Sequence, residues 1–143
     1  MEDCKPVSTP MITCCKLSKD GDSLEVDQKM YRSMIRILLY VIDSRPDAMH
    51  SGGQVARFQE APKETHVLLV KRIFRYLQGT TYFGLWYPKI NDLSIVSYTY
   101  ADCVGCVDDW RSTSGAKFYL GDCLVSWLRN KQPLVSLSMA EAK

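Results

Sequence analysis

Four carboxylates in the C-terminal third, Asp102, Asp108, Asp109 and Glu141, are the residues of this chain best suited to holding a divalent cation. Metal-assisted hydrolysis requires such acids to converge on the ion. Their irregular spacing supplies no complete cluster, so each also reads as a solvated acid of a turn or a helix start. Cys103-Val-Gly-Cys106 has the spacing of half a zinc site. A structural site needs four ligands, and no second Cys or His pair is nearby; ordinary thiols are expected there and at Cys14 and Cys15, with no bound metal. His66 lies on an apolar helical stripe with no second ligand one turn away, which favours a partly buried core residue over a metal ligand. Lys63, Lys71, Arg72 and Arg75 suit a nucleic-acid backbone, although a solvated helix face explains so few charges equally well.

The elements that must position these groups follow from periodicity. Residues 1–26 mix Pro, Ser, Asp and Lys and read as an extended leader. From Asp27, a plausible N-cap, Met30, Met34, Leu38, Leu39 and Ile42 recur at three- and four-residue spacing, which predicts an amphipathic helix ending near Ile42. A second helix opens at Pro46 and runs to Ala61 and Pro62; Gly52 and Gly53 weaken it by about 2 kcal/mol together. The third helix, from Pro62 to about Gln78, carries the stripe His66, Val70, Ile73, Phe74 and Leu77 and stops at Gly79. Beyond it, Tyr82 to Tyr87 reads as a short strand ended by Pro88. Leu93 to Tyr100, Ser114 to Leu120 and Cys123 to Arg129 read as three more, and Val135 to Lys143 ends in a helix start.

Several motifs, in order along nearly the whole chain, resemble the polyprotein of copia-type retrotransposons. They include Asp3-Cys-Lys-Pro-Val-Ser-Thr-Pro-Met11, Ser44-Arg-Pro-Asp47, Val70-Lys-Arg-Ile-Phe-Arg-Tyr-Leu-Gln-Gly-Thr80, Tyr98-Thr-Tyr-Ala-Asp102, Arg111-Ser-Thr-Ser-Gly115 and Ser136-Leu-Ser-Met-Ala-Glu-Ala-Lys143. The resemblance implies a window spanning the end of reverse transcriptase and the start of RNase H. It also implies an ancestral two-Mg²⁺ site built from about four carboxylates. Two of those acids are replaced: Tyr100 and Lys143 stand where the family has acids, leaving Asp102 and Glu141 as remnants. A phenol is a poor Mg²⁺ ligand and an ammonium repels the ion. An inactive polyprotein fragment without cofactor is therefore expected, the other reading being a non-catalytic interaction protein, such as a co-opted binding module or an effector.

Composition narrows the class further. The chain has 143 residues, 46% of them hydrophobic, which suffices for a core. A formal charge of +2 gives only weak long-range attraction to nucleic acid. Six cysteines without a signal peptide suit a reduced, intracellular setting, and no apolar run is long enough to span a membrane. The expected architecture is α+β: an extended leader (1–26), a three-helix thumb-like unit (27–80), and a truncated RNase H-like antiparallel sheet (81–143). The sheet's uncovered face would be open to nucleic acid or another protein.

Overall fold

The computed structural model describes residues 4–12, 17–18, 23–89, 94–102 and 111–133. The chain divides into two compact units, Met1–Gly84 and Leu85–Lys143. The first is built from α1 (Gln28–Ile42), α2 (Pro46–Val55) with a 3₁₀ turn (Ala56–Phe58), and α3 (Glu64–Gly79). The second holds the strands β1 (Ile95–Asp102), β2 (Thr113–Leu120) and β3 (Cys123–Lys131). The class is thus α+β.

α1 begins where the sequence places it. Asp27 caps it, its carboxylate accepting from the Lys29 N–H at 3.0 Å and satisfying one otherwise orphaned donor. Tyr31, Ile35, Leu38 and Ile42 fall on one side and are buried, together with Val55 from α2 and Val67, Val70, Ile73 and Tyr76 from α3. The Tyr31 hydroxyl, buried at the centre, donates to the Val55 carbonyl at 2.8 Å and ties α1 to the end of α2; burial pushes its pKa well up.

α2 is shorter than its sequence predicts. It gives way to the 3₁₀ turn because the chain must swing round: Val26 N–H donates to the Pro62 carbonyl (3.1 Å) and Glu64 N–H to the Leu24 carbonyl (3.0 Å). Pro62 also disfavours helical backbone just before it. α3 accordingly starts at Glu64 rather than Pro62. Gly52 is more than a weak helix residue: a Cβ there would lie 2.6 Å from the Ile42 Cδ1, so its absence permits the close approach of α1 and α2.

His66 is fully buried, as a core residue, with its ring stacked on Phe58 at 4.1 Å. Its Nδ1 accepts from the Lys63 N–H at 3.0 Å, which closes the first turn of α3. At the other end of the helix, the Arg45 guanidinium grips Asp47 (2.9 and 2.7 Å) and the Thr80 carbonyl and hydroxyl (3.0 and 2.7 Å). The Tyr76 hydroxyl donates to Asp47 at 2.6 Å. Arg45 holds the Asp47 carboxyl below its usual range, while burial and then the Asp47 contact raise Tyr76.

The sheet is an antiparallel meander in the order β1-β2-β3. β2 and β3 are joined by the two residues Gly121 and Asp122; Gly121 takes φ 56°, a left-handed conformation that a tight hairpin requires and glycine adopts without strain. A bulge between Phe118 and Tyr119 shifts the β2–β3 register. Tyr82 to Tyr87 does not form the strand expected of it. The Tyr87 hydroxyl donates instead to the Leu124 carbonyl at 2.8 Å, so the segment is held by a side chain and not by a backbone ladder. Among the described residues no helix is long and apolar enough to cross a membrane.

Candidate functional site

The first candidate lies on the sheet. Along β1, Val96, Tyr98, Tyr100 and the terminal position Asp102 alternate onto one face, and register adds Thr113, Gly115, Lys117 and Tyr119 from β2 with Trp127, Arg129 and Lys131 from β3. Tyr100 pairs with Gly115, which pairs with Arg129. The Tyr100 ring covers Gly115 so closely that a Cβ on Gly115 would fall inside it. The aromatic ring thus supplies the packing that a strand glycine lacks. Ser112 and Thr113, in the same motif, are fully buried. Asp102 is the last residue of β1, its backbone paired with Thr113. Glu141 and Lys143 lie outside the described residues, as do Cys14, Cys15, Cys103, Cys106, Asp108 and Asp109.

Among the described residues this face carries fewer carboxylate positions than a pair of Mg²⁺ ions calls for. Hard divalent cations take several charged oxygen ligands, whereas the described face offers the Tyr100 phenol and the single acidic position Asp102, with Lys117, Arg129 and Lys131 on the same face. Among the described residues no three His, Cys, Asp or Glu side chains are grouped to hold a metal ion.

The second candidate is α3. The four cations singled out from the sequence have different surroundings. Lys63 is the N-cap residue, and Arg72 turns toward the leader, donating to the Thr9 hydroxyl at 3.0 Å. Lys71 and Arg75, one turn apart, instead border a groove of about 690 Å³ between α1 and α3. Its floor and walls are Met34, Ile37, Leu68 and Phe74, with Cys4 from the leader. Sequence reasoning missed this groove because it sought one apolar stripe per helix. Leu68, Lys71 and Arg75, at i, i+3 and i+7, mark a second, outward line on α3 that the pattern does contain.

Similarity to known proteins now bears on both candidates. The Retrovirus-related Pol polyprotein from transposon RE1 of Arabidopsis thaliana is 39% identical over 139 residues, 97% of this chain and 10% of the polyprotein. The corresponding polyprotein from transposon TNT 1-94 of Nicotiana tabacum is 37% identical over 150 residues, 100% of this chain and 11% of its own length. Secreted RxLR effector protein 161 of Plasmopara viticola is 38% identical over 112 residues, 78% of this chain and 79% of the effector. The chain therefore spans about a tenth of the Pol polyproteins it matches. No protein-family model matches it, and no solved structure does.

Proposed function

The chain belongs to the retrovirus-related Pol polyproteins of transposons, and from that premise we propose that it is a copia-type stretch running from the end of reverse transcriptase into RNase H, without catalytic activity of its own. The observation that carries this reading is Tyr100. It occupies the position at which the resemblance calls for the first carboxylate, and its ring is built into the sheet over Gly115. The side chain there packs on Gly115, whose partner across the sheet is Arg129, and among the described residues Asp102 is the one acidic position left on that face. A metal-dependent nuclease needs several carboxylates converging there.

The test is direct. Purified chain incubated with RNA/DNA hybrid in Mg²⁺ or Mn²⁺ is expected to leave the hybrid intact, and Tyr100→Asp is expected to leave it intact as well. Metal-dependent cleavage by the unaltered chain, lost on Asp102→Asn, would refute the reading.

One observation favours a second reading, that of a non-catalytic interaction protein. The effector from Plasmopara viticola is matched over 79% of its length, so a sequence of this kind also occurs in a protein not much longer than the matched region. On this reading the chain works by binding another molecule.

A further inference from the structure

We infer that the groove between α1 and α3 seats an amphipathic α-helix of another protein, apolar on the face turned inward and acidic along one flank. The inference deepens the second reading above by naming a surface and the chemistry of its partner. Met34 and Phe74 are partly buried, Ile37 and Leu68 are 57% and 56% exposed, and together they give the groove an apolar floor and ledges. Side chains this exposed serve no packing need of the helical core, which already buries Ile35, Leu38, Val70 and Ile73 at 1% exposure or less.

Shape argues for a helix. Leu68, Lys71 and Arg75 follow one line along α3 for two turns, about 10 Å at the α-helical rise. Met34 and Ile37 face that line from α1, one turn apart. A ligand helix presenting apolar residues at i, i+3 or i+4, and i+7 has the same length and spacing. A small apolar molecule would stay largely wet in so open a groove, whereas an amphipathic helix needs only one stripe covered.

Charge supplies the second argument. The described residues lining the groove include two cations and no acid. α1 has no acidic residue at all, and α3 has only Glu64 in its first turn. Lys71 and Arg75 are one turn apart, so carboxylates at i and i+4 of a docked helix face both. A nucleic-acid backbone would use the cations but leave the apolar floor unfilled.

The test uses the full chain and a fluorescent helical peptide of about 15 residues, long enough to hold helix, with Leu at i, i+3 and i+7 and Glu along one flank. Fluorescence anisotropy should show saturable binding, weakened about tenfold or more when the Glu residues become Lys. Ile37→Glu, at an exposed position, should weaken the acidic peptide about tenfold, with helical circular dichroism unchanged. Lys71→Glu with Arg75→Glu should reverse the preference toward the basic peptide. Equal binding of both peptides, or indifference to Ile37→Glu, would overturn the proposal. A chain that ignores the peptides but binds RNA/DNA hybrid through Lys71 and Arg75 overturns the groove and leaves a binding role standing. A chain that binds neither overturns both.

Discussion

The two units of this chain use apolar residues in opposite ways. In the helical unit Tyr31, Ile35, Leu38, Val70 and Ile73 are all at 1% exposure or less, sealed between three helices. In the sheet the apolar residues buried among those described are only Ala116 and Cys123, while Ile95, Tyr98, Val125 and Leu128 are 77%, 62%, 45% and 43% exposed. The difference is geometric. Each helix has one apolar stripe, and three stripes can cover one another. A single sheet has two faces and cannot bury either without another layer. Among the described residues, packing closes the first unit, while in the second cross-strand pairs such as Tyr100 on Gly115 supply much of the contact.

The sharpest way to break that comparison is to truncate one residue in each unit. Leu38→Ala should cost about 2–5 kcal/mol, the price of a cavity in a closed core, whereas Tyr98→Ala should cost under about 1 kcal/mol. Trp86, Trp110 and Trp127 all belong to the second unit. Tryptophan fluorescence therefore follows the sheet while helical circular dichroism follows the helices, and urea titrations read both at once. Equal losses for the two substitutions would erase the distinction.

Gly115→Ala comes next, at about 1–3 kcal/mol, because the added methyl displaces the Tyr100 ring. The loss should fall on the fluorescence transition and leave the helical one in place. Arg45→Ala should cost the helical unit about 1–3 kcal/mol by stripping Asp47 and Thr80 of their partner, with the reverse pattern of signals.

The smallest effect is one of pH. The Asp47 carboxyl titrates below its unfolded value because Arg45 and then Tyr76 favour the charged form. The unfolded chain therefore binds more protons in that interval, and stability rises with pH across it. The contribution is complete above about pH 4 and disappears as pH falls through the lower folded value. At a partly exposed pair it amounts to less than about 1 kcal/mol. Thermal melts of the unaltered chain and of Asp47→Asn, recorded between acid and neutral pH, should converge at the acid end.

Much of this was legible without coordinates. α1 from its Asp27 cap to Ile42, the apolar stripe of α3, the buried His66 and the three strands divided by turn residues all follow from short-range patterns. Backbone capping, helical periodicity and glycine's left-handed freedom act within a few residues and leave their mark in the sequence. The Tyr82 to Tyr87 segment shows where that reasoning stops: β-propensity without a pairing strand gives no ladder, and partners are chosen at long range.

The sequence by itself determined the resemblance to transposon Pol polyproteins, the α+β class, and the reading of Tyr100 as standing where that resemblance calls for an acid. Only the tertiary structure decided what Tyr100 packs against, because the register sets Gly115 beneath its ring. The same holds for Gly52, read as a defect until Ile42 is seen against it, and for Lys71 and Arg75, parted from Arg72 by a leader that no periodicity describes. The physical reason is common to all three. A residue's neighbours along the chain fix its local conformation, but its chemistry depends on neighbours in space, which packing brings together from distant positions.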